Sequence, residues 1–157
     1  MKPTLKFLIC IWLLIISSIV NAQQPSFARY KVRLFRGNPA KIRIKGNKLA
    51  EEFRTIIKDT YYSKNDIKRW HGATGLNFAG HYCFAYWGCG SPCQMSAIID
   101  LKTGIVYEGP PASLGYEFKK NSRLLIVNPG NTADSCFYCQ PKYWVLNERN
   151  KKFVQLH

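Results

Sequence analysis

Acidic residues are scarce in this sequence, which has nine of them against 23 lysines and arginines and a formal net charge of +14. The adjacent Glu51 and Glu52 fall in a predicted helix, where neighbouring side chains point apart, so they do not form an acid and base pair. A surface with this charge balance attracts polyanions such as nucleic acid, anionic envelope polymers and acidic proteins. The alternative is that positive charge only keeps the protein soluble.

Sequence motifs of several enzyme classes are also absent. The chain has no GxSxG nucleophile elbow, no phosphate-binding glycine loop and no HExxH metal motif. It has no internal repeat of the kind that builds a propeller and no low-complexity tract. The sequence therefore assigns no enzyme class, and its 157 residues leave room for one ordinary domain.

The apolar run Phe7–Val20 is shorter than the roughly 20 residues that span a bilayer as a helix. It follows two lysines and ends at Val20-Asn21-Ala22, the small-residue pattern that signal peptidase reads. We expect residues 1–22 to be a signal peptide and residues 23–157 to form a single exported domain, periplasmic or secreted. Loss of Lys2 and Lys6 would lower the net charge from +14 to +12.

Basic and apolar residues alternate on both sides of Gly37-Asn38-Pro39. Period-two patterning around a turn predicts a β-hairpin between Arg29 and Lys48. A face of like charges costs stability, which favours a binding function for an anionic macromolecule or acidic protein. The alternative is an outward edge whose charges discourage strand-to-strand aggregation. The predicted binding residues are Arg29, Lys31, Arg33, Lys41, Arg43 and Lys45.

The rest of the chain predicts an α+β domain, with an antiparallel sheet of about six to eight strands and one main amphipathic helix. The helix is expected to begin after the capping residue Asn47 and to end near Thr60. Residues 80–87 are apolar on both faces, as in a central strand that is covered on both sides. Three hairpins are predicted beyond it. They pair Ala97–Ile99 with Ile105–Tyr107, Tyr116–Phe118 with Leu124–Val127, and Tyr143–Leu146 with Phe153–Leu156.

Five cysteines remain after the expected cleavage, because Cys10 lies in the leader. An exported protein matures where thiols are oxidised, so disulfides are the first interpretation. The simplest pairing joins Cys89 to Cys93 and Cys136 to Cys139; a bridge from the Cys89–Cys93 turn to the Cys136 segment is the alternative. An odd number leaves at least one thiol free or paired with another chain.

The same cysteines allow three other chemistries. Cys89, Cys93, Cys136 and Cys139 offer two close thiolate pairs, as a structural zinc site does. Cys136 and Cys139 also have the spacing of a thiol oxidoreductase, although a loop rather than a helix start precedes them. His81 and Cys83 lie on one face of the predicted strand, where a histidine could activate a thiol nucleophile for a hydrolase. The alternative for that pair is a core histidine and a buried thiol.

A series of short motifs covers most of the chain beyond the expected signal peptide. The motifs are NFAGHY at 77–82, WGCG at 87–90 with Cys93, AIID at 97–100, KTG at 102–104 and VY at 106–107, followed by SRLLIV at 122–127 and the closing segment from Tyr143 to Phe153. Together they resemble a recurring group of small exported bacterial proteins. The resemblance implies export and a shared fold, and it transfers no catalytic residue because the group has no assigned activity. Cys136 and Cys139 depart from the group pattern.

These observations lead to a working hypothesis of a non-enzymatic exported binding protein. Its basic hairpin would meet an anionic partner such as an envelope polymer, a nucleic acid or an acidic protein. The alternative is a cysteine-dependent enzyme centred on His81 and Cys83 or on the closely spaced cysteine pairs. A structural or inhibitor-like interaction protein is a third class.

Overall fold

The computed structural model describes residues 24–62, 75–130 and 140–156. Within these ranges the chain forms two short helices and seven strands. The helices are α1 (Lys48–Glu52) and α2 (Arg54–Tyr62). The strands are β1 (Tyr82–Gly90), β2 (Cys93–Asp100), β3 (Val106–Glu108), β4 (Tyr116–Phe118), β5 (Leu124–Val127), β6 (Lys142–Asn147) and β7 (Lys152–Leu156). None of the helices within the described ranges is long and apolar enough to cross a membrane.

The predicted main helix is interrupted, so α1 and α2 replace it. Asn47 caps α1 as expected, because its side-chain oxygen accepts a hydrogen bond of 3.1 Å from the Ala50 backbone N–H. Phe53 leaves the helical conformation with φ −105° and ψ 29°. Its ring centroid lies 4.6 Å from that of Trp87, which anchors the junction on the core.

The first sheet has the strand order β1-β2-β3 and is antiparallel throughout. The predicted hairpin of residues 97–107 is confirmed, with Ile99 opposite Val106. Tyr82, Cys83, Phe84 and Ala85 are fully buried, so β1 is covered on both faces as expected. It nevertheless lies at the edge of its sheet rather than in the centre.

The second sheet has the order β4-β5-β6-β7, and the two remaining predicted hairpins form there. The predicted single sheet of six to eight strands is therefore wrong: the described residues form one sheet of three strands and one of four. The break follows β3, where Pro110 and Pro111 lack the N–H groups that a ladder requires. The coarser prediction of an antiparallel α+β fold is confirmed.

The three-stranded sheet lies between two apolar clusters. On one face, Cys83, Ala85 and Ile99 pack with residues of α1 and α2. On the other face, Phe84 and Ile98 pack with residues of the second sheet. The fold is thus a helical layer, a three-stranded sheet and a four-stranded sheet, with β1 contributing to both cores.

Residues 29–45 form an extended segment, here called the basic strap, and the predicted hairpin is wrong. Its two halves pair with other parts of the chain instead of with each other. The backbone hydrogen bonds run from Val32 N to Asn121 O (2.9 Å), Arg123 N to Tyr30 O (3.0 Å), Phe35 N to Gly80 O (2.7 Å), Ala40 N to Leu101 O (2.8 Å) and Arg43 N to Gly104 O (2.8 Å). The strap therefore connects the start of β5, the segment before β1 and the β2–β3 turn.

Glycine at two positions allows the backbone of the strap to lie in direct contact with the backbone of the rest of the fold. A Cβ atom on Gly80 would collide with the backbone oxygen of Arg33, and one on Gly104 with that of Lys41. Both glycines also have positive φ, 81° and 74°, a conformation that side chains disfavour. The path of the strap is thus set by backbone contacts, and its long side chains are left to face solvent.

Candidate functional site

The basic side chains of the strap face solvent. The apolar residues between them, such as Val32, Ile42 and Ile44, are half-buried. Exposed basic and half-buried apolar side chains therefore alternate along the strap as the sequence predicts, although no hairpin forms. All six residues predicted to bind an anion are exposed, and so is one further arginine of the strap. These residues are Arg29, Lys31, Arg33, Arg36, Lys41, Arg43 and Lys45.

No carboxylate of the described residues forms an ion pair with a strap side chain. The ion pair within the described ranges lies outside the strap and joins His81 Nε2 to Asp100 Oδ1 at 3.8 Å. Neighbouring positive charges that form no ion pair within the described ranges repel one another. An anionic ligand would relieve that repulsion, and the strap lies on fixed backbone contacts that hold the charges in place for it. Among the described residues, the basic strap is therefore the main candidate for a binding surface.

Three lysines from other segments extend this basic surface, and sequence reasoning missed them. Lys102 lies in the β2–β3 turn, with its ammonium 6.0 Å from the ring centroid of Phe35 in the strap. Lys120 accepts a backbone hydrogen bond of 2.7 Å from Gly80, the residue over which the strap passes, and Lys119 precedes it. All three side chains are exposed. No local sequence signal joins them to the strap, because the fold alone brings these turns together.

The pair His81 and Cys83 does not have the environment of a nucleophilic site. Burial raises the pKa of the Cys83 thiol to about 12, although a backbone hydrogen bond from Gly75 lowers it in part. Its Sγ lies 3.7 Å from the Thr60 carbonyl oxygen, in the cluster beneath the helices. A thiol in these surroundings stays protonated at neutral pH and is a poor nucleophile.

His81 belongs instead to a polar network beside the inter-sheet core. Its ring centroid lies 4.2 Å from that of Tyr82, and its carbonyl accepts a hydrogen bond from Leu101. Burial lowers the pKa of His81, Lys102 acts in the same direction, and Asp100 opposes both. The neighbouring Tyr82 hydroxyl accepts a hydrogen bond of 2.8 Å from Lys151, which comes from the β6–β7 turn. This network joins the two sheets.

The predicted disulfide between Cys89 and Cys93 is confirmed. The two residues are exposed, their Cα atoms are 5.1 Å apart, and the bond closes the turn between β1 and β2. The zinc alternative loses two of its four thiolate ligands to this bond, and within the described ranges no group of three or more potential ligands could hold a metal ion. Cys136 and Cys139, with the predictions that rest on them, lie outside the described residues.

Comparisons of this chain with protein-family models, with curated protein sequences and with solved structures found no match.

Proposed function

We propose that this protein is an exported, non-enzymatic binding protein whose basic strap holds an anionic polymer. The observation that carries the proposal is the set of seven exposed cations on the strap that have no carboxylate partner within the described residues. Affinity for a polyanion comes largely from release of the counterions condensed on it, which requires an array of cations rather than one deep pocket. The strap, with Lys102, Lys119 and Lys120 beside it, is such an array.

Export is part of the same proposal. The amino-terminal pattern ending at Ala22 supports it, and so does the Cys89–Cys93 bond, since disulfides persist in oxidising compartments. The chain would then belong with the small exported proteins that it resembles. Amino-terminal sequencing of the protein recovered from the periplasm or the medium tests this part; we expect the mature chain to begin at Gln23. Recovery from the cytosol with Met1 retained would contradict it.

The binding part is tested by replacing Lys41, Arg43 and Lys45 together with glutamine. Binding of the wild-type and variant proteins to a double-stranded DNA fragment and to long-chain heparin is measured by fluorescence anisotropy over a series of salt concentrations. Each lost phosphate contact reduces the slope of log K against log[salt] by about 0.9 on DNA, so the triple variant should lose between about 2 and 3 units of slope.

The control carries the same change in net charge away from the strap. Arg54, Lys58 and Lys142 are exposed on α2 and at the start of β6, and they are replaced together with glutamine. We expect this control to keep the wild-type slope on both polymers. Equal losses in the two triple variants would mean that binding follows net charge alone, and unchanged slopes in both would mean that the strap binds nothing. Either result contradicts the proposal.

A further inference from the structure

A cleft of about 570 Å³ opens between the two sheets, at the end of β3 and beside the β6–β7 turn. Its volume lies in the range of small-ligand sites, roughly 300 to 1,000 Å³. Aromatic rings and prolines form much of the lining: Tyr107, Trp144, Phe153, Pro110 and Pro111. Flat apolar surfaces of this kind stack against the faces of ring compounds.

Positively charged, negatively charged and neutral polar side chains complete the lining of the cleft. Lys151 and Lys152 contribute ammonium groups, Glu108 contributes a carboxylate, and Asn150 contributes an amide. The cations outnumber the acid, so the cleft favours a ligand with negative charge. The carboxylate accepts hydrogen bonds from ligand hydroxyl groups. The amide can donate a hydrogen bond to a hydroxyl and can also accept one from it. The lining thus matches a ring that carries hydroxyls and an anionic group.

The basic strap reaches this cleft. Burial raises the pKa of the Tyr107 hydroxyl and Asp100 raises it further, whereas Arg43 of the strap lowers it, so Arg43 lies within electrostatic range of a cleft residue. The side-chain amide of Asn47, just beyond the strap, donates a hydrogen bond of 2.8 Å to the Val106 carbonyl in β3. The Arg43 end of the strap and the β3 side of the cleft are therefore neighbours.

The backbone conformation of Lys151 indicates that this residue has a function in addition to forming the β6–β7 turn. Its φ is +59°, in the left-handed region, where glycine or asparagine is the usual residue of a hairpin turn. A lysine in that conformation costs about 1 kcal/mol or more, and such strain concentrates at functional positions. The Lys151 ammonium donates to the Tyr82 hydroxyl at 2.8 Å, which uses one of its three hydrogens and leaves two for a ligand.

We propose that the inter-sheet cleft binds a single acidic sugar residue of the polymer that the strap holds, which identifies that polymer as an anionic polysaccharide. The inference rests on the proposed function of the strap. The sugar ring stacks on the aromatic lining, its carboxylate or sulfate meets Lys151 and Lys152, and its hydroxyls bind Glu108 and Asn150. DNA lacks hydroxyl donors along its backbone, so it satisfies the strap but leaves Glu108 without a partner.

The test uses ligands too short to cover the strap. Heparin tetrasaccharide and tetragalacturonate supply sulfated and carboxylated rings, maltotetraose supplies a neutral one, and a tetrathymidylate supplies anionic charge with no free hydroxyl on its internal sugars. Isothermal titration calorimetry on the full mature protein should show binding of at least one acidic tetrasaccharide, about tenfold weaker binding of maltotetraose and of the tetrathymidylate, and no such preference once the cleft is altered.

Two variants alter the cleft and one serves as the matched control. Lys152→Gln removes an exposed charge that no described hydrogen bond of its side chain ties to the fold, and Tyr107→Ala removes a stacking surface. Lys142→Gln removes the same charge at the opposite end of the β6–β7 hairpin. We expect roughly tenfold weaker tetrasaccharide binding for each cleft variant, equivalent to about 1.4 kcal/mol, and wild-type affinity for the control.

The outcomes separate this inference from the function of the strap. Loss of tetrasaccharide binding in Lys152→Gln, with the salt slope on DNA retained, supports the cleft. If the wild-type protein binds no tetrasaccharide, or binds all four ligands alike, the cleft proposal is overturned. Wild-type affinity in both cleft variants overturns it as well. In any of these cases, a salt slope that falls in the strap variant and not in its charge-matched control would leave the strap proposal standing, and an unchanged slope in the strap variant would remove both.

Discussion

Within the part of the chain that the structure describes, no strand pairs with the outer edge of β1, and the side chain of Asn77 hydrogen-bonds there instead. The side chain is 4% exposed. Its oxygen accepts a hydrogen bond of 2.6 Å from the Phe84 N–H, and its amide donates one of 3.0 Å to the Phe84 carbonyl. Asn77 therefore satisfies both backbone groups of a fully buried residue at the edge of the first sheet, as a paired strand would.

Replacement of Asn77 with alanine leaves a donor and an acceptor buried without partners. Each costs about 1 to 3 kcal/mol, so we expect the free energy of unfolding to fall by about 2 to 6 kcal/mol. That is a large part of the roughly 5 to 15 kcal/mol that stabilises a typical domain. Urea denaturation of the disulfide-intact protein measures the change as a lower midpoint with an unchanged m-value.

Two further variants make the measurement specific. Asn77→Asp keeps the acceptor for the Phe84 N–H but has no donor for the carbonyl, and it buries a charge, so it should also destabilise the protein. Asn38 is exposed in the strap, and Asn38→Ala should change the free energy of unfolding by less than about 0.5 kcal/mol. A loss below that limit in Asn77→Ala would refute the reasoning, because the edge of β1 would then be satisfied without this side chain.

Three other predictions follow from the buried polar groups. Cys83 should be alkylated in native protein only as fast as it unfolds, because burial raises its pKa to about 12; rapid labelling located by peptide mass mapping would contradict this. Burial lowers the pKa of His81 below 6.5, so the unfolded chain binds a proton that the native one does not, and stability should fall as pH drops through and below 6.5. His81→Gln should flatten that decline in urea titrations at successive pH values, and an unchanged decline would exclude His81 as its source. For the hydrogen bond between Lys151 and Tyr82, a double-mutant cycle with Lys151→Met and Tyr82→Phe should give a coupling of about 1 to 3 kcal/mol, and additive effects would show that the contact is not made in solution.

Local features of this fold could be predicted from the sequence because neighbouring residues decide them. Asn47 caps α1, the three later hairpins form where glycine and polar turns interrupt the apolar segments, and Cys89 bonds to Cys93 across a short turn. In each case the partners lie within a few residues, so turn and capping chemistry determines the outcome.

The strap and the division into two sheets could not be predicted in the same way. Alternation in residues 29–45 specifies which side chains face inward, and it says nothing about which backbone supplies the hydrogen bonds. The partners at Gly80, Leu101 and Asn121 lie between about 40 and 90 residues away in sequence, a non-local choice that depends on the completed sheets. The cleft was missed for the same reason, because Tyr107 and Lys151 come from different sheets.

An anionic polysaccharide should contact the protein along the basic strap and at the inter-sheet cleft. Amide chemical shifts of the isotope-labelled mature protein, recorded during titration with a heparin dodecasaccharide, measure this residue by residue. We expect the largest changes along residues 29–45, with a second set at 106–108 and 150–152. Changes confined to α2 or to β4 and β5, or none at concentrations where the polymer binds, would contradict this binding mode.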